Sequence, residues 1–533
     1  MTSINSDFMS QLALRSLGKS SQMMTQAMER LSTGKRINSA ADDAAGLGIA
    51  TKLKAQVSSL NAASRNTSDA LALIGTIDGA LEESQEILLR MRELAVQSAS
   101  DSNTGTDRTF IQDEINQLTA ELNRISSATE FNNVKLLDGT YNDKAIQIGT
   151  GPNQTFKLGI NATDAATLGA YEMQTVTEAN DHDDHLALGA VADAAAATTA
   201  LNALFAAGAD YDVKGSFGTK TANVDAGADA RDVAKAFNLI SGTTGVSATV
   251  VTRAKIASVT TAGTFSFTLQ GKSTNASTVN ATITSTSNLT ELKDAINSVS
   301  GSTGITAALT EDLSGINMVQ NEGYDIVIGD LSITGGTAHS AVNVKTDISS
   351  GVSPEFTQNG HGFQTGDLVK YTGTTTAVDN LATGMVFKVV EADANTFHLH
   401  DINGNTFTYG GNGHATANTF EKVNVMSVNT VSKNNSTGKL EDGKITVLGF
   451  AAANDSMAIA GQVSLSSHKA FTVTPKDGAN HFNASTTAET ASLKQIGDVD
   501  VSSQLGATNA LSVIDGAIAM TSEVRSEIGA ANN

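Results

Sequence analysis

Histidine and carboxylate clusters are the places in this chain where chemistry could sit. His398 and His400 alternate on a segment of strand character, so both face one side. With Asp401 or His414 they have the donor types of a metal site; the competing reading is two partly exposed strand histidines. Asp181-His182-Asp183-Asp184-His185 is a second cluster, with the composition of a solvated loop that takes up cations adventitiously. Gly271-Lys272-Ser273 has the ending of a phosphate-binding loop, but Ser266 stands where that loop requires glycine, and its surroundings are strand-like. There is no HExxH and no GxSxG. Absence of cysteine excludes disulfides and thiolate metal sites. The expectation is therefore a protein that is not an enzyme and has no cofactor and no metal.

A different kind of site lies in RLSTGKRINSAADDAAGLGIA, Arg30 to Ala50. It offers small residues, an acidic pair and two glycines rather than a catalytic set. Asn38, Ser39, Asp42, Asp43, Gly46 and Gly48 suit a turn between two helices and the close approach of a helix start to another backbone. An ordinary helix–turn–helix elbow is the plainer reading of the same residues.

Long helices must position that elbow. Before it, Leu14, Leu17, Met24, Met28 and Leu31 fall on one three–four spacing, with Ser21 in the polar slot. So narrow a stripe cannot bury itself alone: it is either the inner face of a surface helix or a seam for another chain. Asp42 and Asp43 sit where an N-cap belongs. Helical periodicity then runs from about Ala44 to Gln97 without proline, with apolar positions at Leu53, Val57, Leu60, Leu71, Ile74, Leu81, Leu88 and Met91. A pattern this long belongs to coiled coils and fibrous assemblies more than to enzymes. Asp101 to Gly105 is a polar break. Asp107 is the expected cap of a third helix with its seam at Ile111, Ile115, Leu118, Leu122 and Ile125, packed antiparallel to the second. Beyond Phe131 the period becomes two. Val134–Leu137, an Asp138-Gly139 turn, then Ile146 and Ile148 predict a hairpin, and Phe156, Leu158 and Ile160 alternate likewise.

From about Ala165 to Thr490 the chain is rich in Ser, Thr, Asn and Gly, with short alternating strands such as those in ISGTTGVSATVV and GTFSFTLQG. One unit occurs twice: VAKAFNLISGTTGVSA (Val233–Ala248) matches LKDAINSVSGSTGITA (Leu292–Ala307), fifty-nine positions apart. Each copy predicts a short helix, a glycine turn and a strand. HGFQTGDLVKYTG and NTFHLHDINGNTFTYGG predict a small all-β module between Pro354 and about Val425, weakly similar to β modules of phage tail-associated and repetitive surface proteins. Long polar inserts of this kind are displayed outward.

Charge narrows the function classes. The 533 residues carry a formal charge of −21, against a general nucleic-acid binder. The first sixty differ, with seven Lys/Arg against four Asp/Glu. No apolar run reaches bilayer length, so no membrane insertion is expected. MTSINSDFMSQLALRSL lacks the apolar stretch of a cleaved secretory signal.

LSTGKRINSAADDAAGLGIA, ASRNTSDALALIGTIDGALEESQEILLRMRELAVQSAS and IQDEINQLTAELNRISSATEFNNVKLLDG, joined at the far end by TNALSVIDGAIAMTSEVRSEIGAANN, resemble bacterial flagellin. The resemblance covers roughly residues 1–165 and the last 26, and the paired repeat is similar to the module inserted in many flagellins. It implies an α+β fold: a long antiparallel α-helical rod from paired termini with a β-hairpin, plus β-rich variable outer domains in the middle. On this reading residues 1–43 are the inner-tube helix and elbow, and 44–165 with 491–533 form the rod. Residues 166–353 are variable outer region with the repeat, 354–425 the all-β insert, and 426–490 the return to the rod.

The implied function is that of a subunit polymerising with itself into the extracellular flagellar filament that drives swimming. Export goes through the flagellum's own type III apparatus, and the implied partners are an export chaperone, the filament cap and hook-associated proteins. A patch matching Leu89, Arg90, Met91, Arg92, Glu93, Leu94 and Val96, with Glu114 on the next helix, implies recognition of monomer by the host Toll-like receptor for flagellin; neighbouring subunits would occupy the same surface. The alternatives are a hook-associated junction protein and an adhesin acting through residues 354–425. Members of the family continue several tens of residues beyond the ALSVIDGAIA motif, whereas only Met520–Asn533 follow here. The expectation is that a chain truly ending there lacks the helical partner of Leu14–Leu31 and does not polymerise.

Overall fold

The computed structural model describes residues 4–100, 102–174, 195, 209–226, 228–273, 275–310, 312–334, 342–344, 351–352, 355–358, 361–371, 385–390, 393, 395–401, 408–409, 418–422, 425–433, 440–449, 456–476 and 488–532. The helices used below are α1 (Ile4–Thr33), α2 (Ala44–Ser98), α3 (Gly105–Ala128), α4 (Ala230–Thr244), α5 (Thr290–Ser298) and α6 (Gln504–Asn532). The chain divides into two compact units, one of 1–82, 125–162 and 525–533, the other of 83–124 and 163–524.

In the first unit, α1 has the expected apolar stripe, yet every described position on it is exposed or half-buried. α2 begins exposed as well. Its buried face starts at Ala63 and continues through Ala70, Leu73, Ile74, Ile77 and Leu81, a three–four spacing. Arg525 Nε on α6 donates to Asp78 Oδ1 on α2 at 3.0 Å, and Asn66 Nδ2 to the Gln147 carbonyl at 3.0 Å.

The hairpin expected across Asp138-Gly139 is not the one formed. Val134–Lys135 pairs backwards with Glu130–Phe131 around Asn132-Asn133, whose φ angles are 49° and 65°. Two consecutive left-handed residues are what a two-residue hairpin turn needs, and asparagine tolerates them. Lys144–Gln147 pairs instead with Thr155–Leu158, Ile146 opposite Phe156. Asp138 closes a local turn, accepting from the Thr140 N–H at 2.9 Å and from its hydroxyl at 2.6 Å.

In the second unit α2 and α3 run antiparallel: Arg90 on α2 reaches Glu114 on α3, and the Ser98 carbonyl at the end of α2 accepts from Arg108 Nε near the start of α3 at 2.9 Å. The segment leading into α6 and α6 itself lie antiparallel to α2, since Arg92 pairs with Asp515 and Ser98 Oγ donates to the Val501 carbonyl at 2.6 Å. Ile87, Leu88, Met91, Leu94 and Ala95 of α2, Ile111, Ile115 and Leu122 of α3, and Ala507, Ala510, Val513, Ile514 and Ala517 of α6 are buried. The cap of α3 departs from expectation. Thr104 is the N-cap, its hydroxyl accepting from the Asp107 N–H at 3.2 Å, while Asp107 accepts the Thr104 N–H at 3.0 Å. Asp107 is thus the third helical residue of a reciprocal capping box.

The β-rich part is antiparallel throughout the pairings described. One sheet runs in the order Ile305–Leu309, Ile316–Gln320, Ser247–Val259, Gln462–Ser467, Gly169–Gln174 and Ser492–Gln495, with Val425–Lys433 and Leu440–Gly449 attached beyond Ser247–Val259. A second sheet is Ser277–Ile283, Gly263–Gln270, Ile326–Thr334 and Met457–Ile459. Phe265, Phe267, Leu269, Ile316, Met318 and Ile328 belong to the core these strands share with α5. A six-stranded sheet overlaps the β module expected over 354–425 but starts before it, running from Val342–Val344 through Asn418–Lys422, Leu368–Tyr371, Val386–Val390 and Thr396–His400 to Glu355–Thr357. Its core holds Phe356, Phe397 and Phe420 with Val369 and Leu399.

The repeat is structural as well as sequential. α4 ends at Gly245 (φ 74°) and the matching turn Ser300–Thr303 after α5 at Gly304 (φ 69°), where L residues other than Gly are strained. Asn238 Nδ2 donates to the Ala248 carbonyl and its Oδ1 accepts the Ala248 N–H, both at 2.8 Å. Asn297 does the same to Ala307, again at 2.8 Å twice. Each asparagine thereby joins its helix to the strand that follows, standing in for a neighbouring strand's backbone.

Candidate functional site

The elbow is organised by Asp42. Its carboxylate accepts the N–H groups of Asn38 (3.2 Å) and Ser39 (3.0 Å), is bonded by the Gln26 side-chain amide, and lies 3.6 Å from Arg30 Nη2. The Gln26 bond, then the backbone N–H groups of Ser39 and Asn38, hold the Asp42 pKa down at about 2. Asn38 Nδ2 donates to Glu29. Residues from the end of α1 thus grip the loop and fix how the chain leaves the helix. Asp43 is the N-cap of α2, accepting the Gly46 N–H at 2.8 Å. A Cβ at Gly46 would collide with the Asp43 carboxylate and come 2.7 Å from Ile37 Cδ1. At Gly48 a Cβ meets nothing within 4 Å.

On both sides of the elbow large apolar side chains are exposed: Leu14, Leu17 (71%), Met24, Met28 and Leu31 (87%) on α1, then Ile49, Leu53, Val57 and Leu60 on α2. Scattered apolar residues on a surface are ordinary, but a helix-long file of them marks an interaction face.

The patch on α2 divides by burial. Leu89 (47%), Arg90, Arg92, Glu93 and Val96 are exposed and Glu114 is half-buried, whereas Met91 (0%) and Leu94 (2%) are core residues. Arg90 donates to Glu114 through Nε (3.1 Å) and Nη2 (2.8 Å), and to Glu93 through Nη1 (3.1 Å). Glu114 first, then Glu93, raises the Arg90 pKa above its ordinary value. Arg92 is held by Asp515 at 2.6 Å, which raises its pKa too. Sequence reading did not find these partnerships. Glu114 lies 24 positions from Arg90 and Asp515 lies 423 from Arg92, beyond any local periodicity. The Asp42 grip had a partial signal in the Asn-Ser-x-x-Asp spacing, but none for Gln26 sixteen positions earlier.

His398 and His400 share a face of Thr396–His400, half-buried, with Phe397 and Leu399 buried on the other side. His414 and Asp181–His185 lie outside the described residues. Among the described residues no three His, Cys, Asp or Glu side chains are grouped to hold a metal, and no helix is long and apolar enough to cross a membrane.

Long helices with unburied apolar faces, carrying a β-rich insertion, define a structural protein that works through its surfaces. Residues 4–142 match the family model for the bacterial flagellin N-terminal helical region, and residues 264–322 that for the flagellin hook IN motif. The chain is 46% identical over 187 residues to a flagellin of Clostridium tyrobutyricum, covering 34% of this chain and 49% of the relative. To flagellin 1 of Proteus mirabilis it is 43% identical over 166 residues, covering 31% and 46%. To a flagellin of Halalkalibacterium halodurans it is 41% identical over 182 residues, covering 34% and 65%. The aligned part spans about half the length of the first two of these relatives and somewhat more of the third. Its N-terminal helical region and the segment holding the second copy of the repeat are thus similar to those of bacterial flagellins.

Proposed function

We propose that this chain is the structural subunit of a bacterial flagellar filament, assembling with copies of itself outside the cell through its helical faces. One observation carries the reading: the three–four apolar file of α1 is in water along its whole length. Burial of each such leucine or methionine is worth about 1.5–3 kcal/mol, so packing the file against neighbouring helices supplies a strong drive to associate. Gly48 fits the same reading, since the fold itself does not require it to be small. Export by the flagellar type III apparatus, an export chaperone, the filament cap and hook-associated proteins follow from the filament role. The exposed part of the α2 patch, Leu89, Arg90, Arg92, Glu93 and Val96 with Glu114, is a second contact surface, packed against subunits in the filament and read on shed monomer by the host Toll-like receptor for flagellin.

The test is made in the cell that produces the protein. Leu14→Asp, Leu17→Asp and Met24→Asp together are expected to abolish filaments in electron micrographs and swimming in soft agar, while folded subunit still reaches the medium. Filaments of normal length from the triple variant would overturn the proposal. Copy number separates the junction-protein alternative: thousands of copies per cell fit a filament, a handful a junction.

A further inference from the structure

Sulfur is unevenly placed in this chain. There is no cysteine, so the thioethers of its 12 methionines are the only sulfur a mild oxidant can attack. Most of those described in the β-rich part and the rod are shielded. Met91, Met318, Met426 and Met457 are 0% exposed and Met173 is 4% exposed. Four others stand in water along one helix. On α1, Met9 is 65% exposed, Met23 62%, Met24 66% and Met28 63%. Away from α1, Met385 is exposed at 43% and Met520 is half-buried.

The four coincide with the apolar face of α1. Met24 and Met28 belong to its three–four file with Leu17 and Leu31. Met23 lines a groove on the helix with Ala27 and Leu31. The two polar residues of that groove, Gln26 and Arg30, are engaged by Asp42 of the elbow. Leucine at these positions would supply a similar apolar volume. Methionine adds flexibility and a sulfur lone pair open to oxidation.

We propose that Met9, Met23, Met24 and Met28 form a reversible oxidation site that controls addition of this subunit to a filament. The inference rests on the assembly role proposed above. The oxidant is a peroxide. The Sδ lone pair attacks one peroxide oxygen, an S–O bond forms and the O–O bond breaks. The other oxygen leaves as water, taking the proton of the transferred one. Sulfur loses two electrons and the peroxide gains them. The sulfoxide carries a strong acceptor oxygen, which loses its water without a partner when α1 packs against apolar side chains. An oxidised subunit is therefore held out of the polymer, whereas packing in the polymer shields the same sulfurs. Reduction by methionine sulfoxide reductases returns the thioether.

Subunits collected from outside the producing cell, treated with hydrogen peroxide and mapped by peptide mass spectrometry, test the site. The four α1 methionines are expected to convert about tenfold or more faster than Met91 and Met318. Equal rates would overturn the site. Elongation of filament fragments should then need about a tenfold or more higher concentration of treated than of untreated subunit. Reductase treatment should restore elongation, and no recovery would overturn the switch. The variant carrying Met9→Leu, Met23→Leu, Met24→Leu and Met28→Leu keeps the apolar face without the sulfur. It should elongate equally with and without peroxide, although Met385 is still oxidised. A loss in the treated variant as large as in the treated parent would place the sensitive group elsewhere and overturn the switch. Equal elongation by untreated and oxidised parent would overturn the switch alone, whereas no elongation by untreated parent would overturn the assembly role beneath it.

Discussion

Leu94 and Leu89 lie on the same stretch of α2, five positions apart, and Leu94→Ala should behave as a core deletion while Leu89→Ala should not. Leu94 is 2% exposed and Leu89 is 47% exposed. Truncating a buried leucine loses its transfer free energy and leaves a cavity, together about 2–5 kcal/mol, with about 3 kcal/mol a central value. The exposed leucine loses about 0.5 kcal/mol or less. For a cooperative unit of about 150–250 residues, each kcal/mol moves the melting temperature by about 2–4 °C, so Leu94→Ala should melt about 6–12 °C below the parent. Far-ultraviolet circular dichroism of the soluble monomer measures this. A receptor-reporter assay on the same samples then distinguishes contact from scaffold. Arg90→Ala and Glu114→Ala keep the parent's melting temperature and lose receptor activation, because they alter surface side chains. Leu94→Ala loses activation only in step with its unfolding. If Leu94→Ala melts with the parent, the packing argument is wrong. If the Arg90, Glu114 double variant activates fully, the contact surface lies elsewhere.

Two further outcomes follow from polar groups of the β-rich part. Burial, then the neighbouring charge of Asp229, pushes Asp325 up to about 6 from its ordinary 3.8, against the Gly461 N–H and Arg231. The folded state therefore holds this proton more tightly than the unfolded chain, and the contribution to stability falls as pH rises from about 4 to about 6 and stays low above that, by up to about 3 kcal/mol. Asp325→Asn should remove that fall and raise stability at pH 7 in urea titrations; a variant as pH-dependent as the parent over this window would refute it. Asn238→Ala removes both bonds to Ala248 and strands a backbone N–H and C=O, costing about 2–4 kcal/mol, whereas Ser241→Ala, which loses an exposed hydroxyl bond to the Asn238 carbonyl, stays within about 0.5 kcal/mol of the parent. Equal denaturation midpoints for the two would refute the asparagine's role.

What could be read in advance divides along the range of the interactions. The periods of α1, α2 and α3 and the doubled helix–glycine–strand unit were legible because apolar spacing and identical residues are local signals. Asp43 as the cap of α2 was legible for the same reason. Local signals also misled where two competed. Asp138-Gly139 has the stronger turn chemistry on paper, yet Asn132-Asn133 makes the hairpin, because the short segments on either side of the asparagines are the ones that pair. Asp107 was read as a cap because an acid before a helix favours one, but Thr104, three residues earlier, completes the box. The patch on α2 came from resemblance, which names positions without separating those that face out from those that hold the helix in place. Met91 and Leu94 fall in the second group.

The elbow makes the distinction sharpest. Its small residues looked alike in the sequence, but they answer to different constraints. Gly46 is small because its own chain demands it: Asp43 and Ile37 occupy the space a Cβ would need. Asp42 is committed to the end of α1 through Gln26 and Arg30, so it sets the angle at which α1 leaves α2's cap. Gly48 has neither duty. A glycine inside a helix costs about 0.5–1 kcal/mol relative to alanine, and nothing within 4 Å of a Cβ there accounts for that cost. Ile49 beside it and Leu53 one turn further on are likewise exposed. The part of the elbow that the chain does not explain is thus contiguous with the apolar face of α2 that the chain does not bury. A neighbouring subunit approaching the backbone closely at Gly48, and covering Ile49 and Leu53 as it does so, accounts for both at once.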